Sequence, residues 1–215
     1  MRQPAMPASP TPARTWVLPA VDIGLKGGLL ALLLMAVVFP DLPQFAGKAM
    51  GGRVLTYGLA QLIVPGIWWI RFRRVKYPFW IDILITLPFF IDVAGNALDL
   101  YDTVDWWDDA NHFVNWALLT GGVALALAYL PLGRWNRFAL TLGFAGVSAI
   151  AWELAEYITF IRDSPELATA YTDTLGDLVL GTLGGLLAAA LVAWRVPRTG
   201  TAHAAGALDI RASRT

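Results

Sequence analysis

Six long apolar segments dominate the pattern of hydrophobic and polar positions along the chain. Short stretches rich in charged residues, proline and glycine separate them. Each segment has about the 20 residues that a helix needs to cross a hydrocarbon core of about 30 Å. Since backbone groups find no water inside a bilayer, each segment is predicted to be a helix. The segments cover residues 23–39, 54–70, 79–95, 112–130, 138–161 and 175–194.

This pattern predicts an all-α, polytopic membrane protein with a six-helix transmembrane bundle over residues 17–197. Residues 1–16, rich in proline, alanine and serine, precede the bundle, and residues 198–215 follow it. Both stretches are predicted to be disordered tails on the cytoplasmic side. Pro65 and Pro88 fall inside the second and third segments. A proline removes a backbone N–H group, so each predicts a kink or a break.

The composition agrees with a membrane protein. Hydrophobic residues make up 57% of the 215 residues. Charged residues make up only 15%, whereas soluble domains have about 25%. The chain has no cysteine, which excludes disulfides and thiolate metal sites. Its net charge of zero gives no indication of nucleic-acid binding. The apolar segments make the lipid bilayer the predicted partner.

The basic residues predict how the chain is oriented. Twelve of the 16 Lys and Arg residues fall in the N-terminal tail, in the second and fourth connections between segments, and after the sixth segment, which ends at residue 194. Lysine and arginine favour the cytoplasmic side of a membrane, so both termini are predicted to be cytoplasmic. The third and fifth connections, which carry most of the loop acids, then lie on the outer side.

Polar side chains enter the membrane from the predicted outer ends of four segments. Spacings of three, four and seven residues place the members of each set on one helix face. A carboxylate near a helix centre costs about 3 kcal/mol or more, so these acids need partners. They are Asp92 in the third segment, Asp108 with His112 and Asn115 at the fourth, Glu153 and Glu156 in the fifth, and Asp173 and Asp177 at the sixth.

The deeper acids of this set predict a bound cation or shared protons. No lysine or arginine is expected at the same depth, and Arg162 in the outer fifth connection is the nearest. Carboxylates with one imidazole suit Mg²⁺, Mn²⁺, Ca²⁺ or Zn²⁺. Glu153 and Glu156 are also the candidate catalytic bases. The predicted metal ligands are Asp108, His112, Glu153, Glu156, Asp173 and Asp177.

Simpler interpretations apply to other acids. Asp99, Asp102 and Asp105 are expected to be solvated loop charges or caps of the following helix. Asp82 lies near the inner end of the third segment and is expected to pair with the basic second connection. For the two deeper glutamates, hydrogen bonding between helices is the alternative to metal binding.

Glycines predict close packing among the last three segments. Small residues let helices approach one another in lipid, which would bring the acidic helix ends together. A homodimer through the same glycine-rich faces is the alternative. These residues are Gly121 and Gly122 in the fourth segment, Gly143 and Gly146 in the fifth, and Gly176, Gly181, Gly184 and Gly185 in the sixth.

Three short motifs lie on consecutive segments. They are DDANHF at 108–113, WELAEY at 152–157 and DTLGD at 173–177. In this order they resemble the motifs of the YjdF-like inner-membrane proteins of bacteria, a multi-span family of unknown function. The family has glycine where this chain has Asn111, and Gln-Gly where it has Asn115 and tryptophan. The resemblance implies an inner-membrane location and supports the site, but it implies no activity.

Three functions follow from these observations. A membrane enzyme would use the metal to activate water, although no H-E-x-x-H or G-x-S-x-G motif is present. A proton- or cation-coupled transporter would need polar groups near the inner face, where Asp82, Thr86, Gln61 and Tyr57 are the candidates. A structural subunit would leave the buried acids unexplained. We expect a membrane protein with an acidic metal site that opens to the outer face.

Overall fold

The structure is a computed structural model and describes residues 16–159 and 161–196. Within these residues the chain is helical and contains no β-strand, so the all-α prediction is confirmed. The predicted tails, 1–16 and 198–215, lie outside the described residues except for Trp16. The α-helices are α1 Val17–Val38, α2 Met50–Ala60, α3 Ile63–Ile67, α4 Phe79–Ala97, α5 Leu100–Thr103, α6 Trp107–Leu127, α7 Arg134–Thr159 and α8 Ala170–Arg195.

Among the described residues, four helices are long and apolar enough to cross a membrane. They are α1, α4, α7 with its continuation to Asp163, and α8. The other two predicted spans differ in character. Helix α6 has 21 residues and begins with acids in its first turn, and α2 has only 11 residues. The membrane prediction is confirmed at four of six positions, and the count of six spans stays a prediction.

The second predicted segment is interrupted. Helix α2 ends at Ala60, α3 begins at Ile63, and a π-helical turn covers Trp68–Phe72. Pro65 lies within α3 and lacks the N–H group that would bond to the carbonyl four residues earlier. The interruption predicted near this proline is confirmed, whereas α4 runs through Pro88 as one helix.

Helix α6 lies at the centre of the bundle. It packs against α8, α4 and α7, while α1 packs against α4. The order of these helices brings the first turns of α6 and α8 beside the last turns of α4 and α7. The polar ends of four predicted segments therefore meet at one end of the bundle.

Two glycines explain how closely α8 approaches its neighbours. A Cβ atom at Gly184 would collide with the backbone carbonyl of Phe113 on α6. A Cβ atom at Gly185 would collide with Ala145 on α7. Small residues at these positions thus allow the backbones of α6, α7 and α8 to pack together. This packing was expected from the sequence and is present in the structure.

Candidate metal centre

The first two turns of α6 present polar side chains on one face. The helix begins at Trp107, five residues before the predicted segment 112–130, so Asp108 and His112 are both helical. Their spacing of four residues puts them on the same face. Nε2 of His112 lies 3.6 Å from Oδ1 of Asp108. The early start is favourable because carboxylates in the first turn interact well with the helix dipole.

Carboxylates from two further helices surround the imidazole of His112. Its Nε2 lies 3.5 Å from Oδ1 of Asp177 on α8, and its Nδ1 lies 3.8 Å from Oε1 of Glu153 on α7. All three residues are buried. Within the described residues, Nδ1 has no hydrogen-bond partner. A buried polar atom without a partner costs about 1–3 kcal/mol, which favours a further binding partner at this ring.

Two groups of three residues could hold a metal ion. Asp108, His112 and Asp177 form the first group, and His112 forms the second with Glu153 and Glu156. Within each group, the ligand atoms all lie within 4.8 Å of one another. Five of the six predicted ligands are therefore brought together around one imidazole, and three helices supply them.

Asp173 is the sixth predicted ligand and lies apart from both groups. It is one turn before Asp177 on α8, as the sequence suggested, but its side chain is exposed. It belongs to neither of the two potential metal-binding groups. A role for Asp173 as a ligand stays a prediction.

Arg53 lies beside the site, which the sequence did not predict. Its Nε donates to Oδ2 of Asp92 at 2.9 Å, and its Nη2 lies 3.8 Å from Oε1 of Glu156. The expectation that no basic residue reaches the depth of the glutamates is therefore wrong. The reason is that α2 begins at Met50, so Arg53 is inside the helix and its long side chain points into the bundle.

Asp92 anchors the polar network around this arginine. Its carboxylate accepts hydrogen bonds from Arg53, from Tyr57 at 2.6 Å and from Tyr101 at 2.8 Å. Burial and the adjacent Asp92 carboxylate raise the pKa of Tyr101 well above its ordinary value, so its hydroxyl stays protonated and donates. Satisfied in this way, Asp92 holds α2 and α5 against α4 and has a structural role.

A cavity of about 80 Å³ lies beside the two groups and is lined by α2, α4, α5, α6 and α7. One part of its lining is polar and another is aromatic. Leu119 lies two turns beyond His112, so the cavity extends about 10 Å along α6 from the imidazole. The lining includes Arg53, Asp92, Asp108, His112, Asn115 and Glu156, together with Tyr57, Phe89, Trp116, Leu119 and Trp152.

A second buried ion-pair cluster lies near the start of α4. Asp82 pairs with Lys26 of α1 and accepts hydrogen bonds from Tyr77 and Thr86. Nζ of Lys26 also lies 3.8 Å from Oδ2 of Asp22. The expected pair between Asp82 and the basic second connection is not found among the described residues. Packing of α1 against α4 places Lys26 there instead.

Comparison with known proteins gives a family and no function. The sequence model of the family described as "Predicted membrane protein (DUF2238)" matches residues 24–198. This range includes all six predicted ligands and the cavity. No curated protein and no solved structure matches the chain significantly.

Proposed function

Since the chain belongs to the DUF2238 family of predicted membrane proteins, we propose that it binds one divalent metal ion through Asp108, His112 and Asp177. The position of His112 carries this proposal. Its Nε2 faces a carboxylate on its own helix at 3.6 Å and one on α8 at 3.5 Å. One imidazole and two carboxylates form a set of three ligands that leaves room for water or substrate on the ion.

The group that contains Glu156 is less suited to a divalent metal ion. A guanidinium nitrogen of Arg53 lies 3.8 Å from Glu156 and compensates part of its charge. Glu153 instead faces Nδ1, the other ring nitrogen of His112. Metal-binding histidines commonly donate this second N–H group to a carboxylate, which fixes the tautomer and the ring orientation. We therefore assign Glu153 as the outer partner of His112.

The ligand chemistry favours Mn²⁺ or Zn²⁺ among the four ions considered. An imidazole suits these ions, whereas Mg²⁺ and Ca²⁺ prefer oxygen ligands alone. When bound, such an ion polarises a substrate oxygen or lowers the pKa of a bound water. Glu156 lines the cavity and is the candidate proton acceptor there, in keeping with the catalytic role expected for the two glutamates.

No observation favours the transporter over a metal site. Two of the inner polar groups considered for an ion pathway, Asp82 and Thr86, bond to each other, and Asp82 also pairs with Lys26. A third, Tyr57, donates to Asp92. Asp82 and Tyr57 thus connect α4 to α1 and α2, and Thr86 bonds within α4. A purely structural subunit would not account for the two carboxylates, Asp108 and Asp177, that face Nε2 of His112.

The membrane arrangement is part of the proposal. We propose six spans in one transmembrane domain over 17–197, with the interrupted α2–α3 segment as the second span and α6 as the fourth. Both termini are cytoplasmic, and the location is the inner membrane of a bacterium, as the YjdF-like motifs imply. A homodimer would use the face of α7 with Gly143 and Gly146, where an added Cβ meets no atom within 4 Å.

Metal content after loading and desalting tests the site. We expect one Mn²⁺ or Zn²⁺ per chain in the wild-type protein. Asp177→Asn removes a carboxylate ligand and is expected to weaken binding by at least the roughly tenfold to hundredfold that loss of an outer partner of a ligand typically costs. Asp173→Asn, one turn away and exposed, is the matched control and is expected to keep the ion. Equal loss in both variants would contradict the assignment.

A further inference from the structure

The cavity beside the metal centre carries a second binding feature, on Asn115. Asn111 Nδ2 donates to the carbonyl of Trp107 at 3.0 Å, which leaves Asn111 Oδ1 as an acceptor. Asn115 Nδ2 donates to that oxygen at 3.0 Å. These two hydrogen bonds fix the orientation of the Asn115 amide. Its Oδ1 is buried and has no hydrogen-bond partner within the described residues.

Asn115 Oδ1 therefore lacks a hydrogen-bond donor. Asn115 lines the cavity together with His112. A buried carbonyl oxygen without a donor is costly, so a ligand that supplies an N–H or O–H group gains affinity there. A metal ion on Nε2 of His112 would not meet this need.

The charges of the cavity indicate that the donor is a cation. Among the described residues, two carboxylates outside the proposed metal ligands, Asp92 and Glu156, line it, and the guanidinium of Arg53 opposes them. Asp92 is already saturated with donors from the protein. Glu156 lies 3.8 Å from Arg53, which is beyond hydrogen-bond length, so its oxygens can accept from a ligand. This excess of acid disfavours phosphates and carboxylates and favours an ammonium group.

The aromatic wall supports the same conclusion. Tyr57 and Trp152 lie nearly parallel with their ring centroids 6.2 Å apart, and Phe89 lies 4.7 Å from Tyr57. Trp116 completes the wall. Cations bind to the faces of such rings, and tryptophan is the strongest partner. Carboxylates and aromatic rings around one small cavity together form a typical environment for an organic ammonium ion.

We propose that this cavity binds a primary ammonium group, which donates to Asn115 and Glu156 and packs against the aromatic wall. A primary ammonium has three N–H donors, whereas a trimethylammonium group has none for Asn115. A cavity of about 80 Å³ is the right size for a small head group. Such a group could come from a soluble amine or from an aminolipid in the bilayer. The proposal goes beyond metal binding and does not require it.

Calorimetric titration of the purified protein with ethanolamine, choline and ethylene glycol tests the proposal. The detergent and buffer contain no primary amine, and the titrations are repeated on chelator-treated and Mn²⁺-loaded protein. We expect ethanolamine to bind at least tenfold more tightly than choline, and the neutral glycol to give no binding. Binding of ethanolamine to chelator-treated protein would support the ammonium site even if the protein binds no metal ion. No binding of ethanolamine, or equal binding of choline, would overturn the proposal.

Two asparagine variants show whether Asn115 causes the selectivity. Asn115→Leu is expected to weaken ethanolamine binding about tenfold and to remove the preference over choline, because the acceptor is lost. Asn136→Leu, at an exposed position in the first turn of α7, is the matched control and is expected to bind as the wild type does. A preference that survives in Asn115→Leu would overturn the role of this amide.

Nanodiscs distinguish the two sources of the ammonium group. If an aminolipid occupies the cavity, ethanolamine will bind more weakly in discs with phosphatidylethanolamine than in discs with phosphatidylglycerol alone, because the lipid competes. If the ligand is a soluble amine, the affinity will be the same in both discs. Either outcome supports an ammonium site, provided that ethanolamine binds in the phosphatidylglycerol discs.

Discussion

At the scale of single residues, acids in apolar surroundings were predictable and their partners were not. A carboxylate inside a membrane span is costly enough to stand out in the sequence, so Glu153 and Asp177 could be identified from hydropathy and spacing alone. Arg53 could not, because it precedes the apolar segment and only the early start of α2 brings it inside. The free oxygen of Asn115 depends on hydrogen-bond directions, which a sequence does not contain.

The pairing of Arg53 with Asp92 gives a prediction about stability. Arg53→Met leaves a buried carboxylate without its guanidinium and is expected to lower the free energy of unfolding by about 3 kcal/mol or more. The control is Arg162→Met. Arg162 pairs with Asp163 at 3.0 Å, but both side chains are more than half exposed, so a loss of at most about 1 kcal/mol is expected. Denaturation in mixed micelles measures the free energy of unfolding of both variants.

Two outcomes bear on this prediction. Adding Asp92→Asn to Arg53→Met should recover part of the loss, because it removes the unpaired charge. Similar small losses in both arginine variants would show that Asp92 does not need Arg53.

At the scale of helices, the apolar segments located the elements but not their ends. The predicted segment misses the start of α6, because the first turn of this helix is acidic and its hydropathy resembles that of a loop. Yet that first turn carries Asp108, one of the three proposed metal ligands. The interruption of the second segment was predictable from Pro65, since the missing N–H group is a local property. Which glycines mediate packing within the chain was not predictable, because Gly184 and Gly143 look alike in the sequence.

Alanine substitutions at those two glycines are predicted to change the stability of the protein in opposite directions. Gly184→Ala places a methyl group against the Phe113 carbonyl and is expected to destabilise the protein by about 1–3 kcal/mol through overpacking. Gly143→Ala adds a methyl group that meets no atom of the chain within 4 Å and is expected to stabilise the monomer by up to about 1 kcal/mol. Thermal unfolding of the two variants under identical detergent conditions measures the difference. The packing account fails if the two substitutions have the same effect.

At the scale of the whole molecule, charge separates the two ends of the bundle. The proposed metal site lies at one end of α4 with the acidic connections, and the exposed basic connection 71–76 lies at the other. Such a separation predicts one orientation across an energised membrane. The number of spans was harder to predict, because an interrupted segment and a continuous helix can have the same hydropathy. Four of the six segments have the length and apolarity of a span.

The absence of native cysteines allows a direct test of this orientation. Single cysteines at Lys76 and at Asp105 lie in exposed positions before and after α4. We expect a membrane-impermeant maleimide, added to intact spheroplasts, to label the cysteine at 105 and not the one at 76. After membrane permeabilisation both should react, which controls for accessibility. Equal labelling of both positions in intact spheroplasts would contradict the topology.

The central claim is that His112 binds a divalent ion, and pulsed electron paramagnetic resonance of the Mn²⁺-loaded protein tests it most directly. The wild-type protein and Asp173→Asn are predicted to show coupling between bound Mn²⁺ and an imidazole nitrogen. His112→Gln and Asp177→Asn are predicted to lose that signal together with the bound ion. Bound Mn²⁺ without nitrogen coupling in the wild type, or a signal unchanged in His112→Gln, would contradict the account.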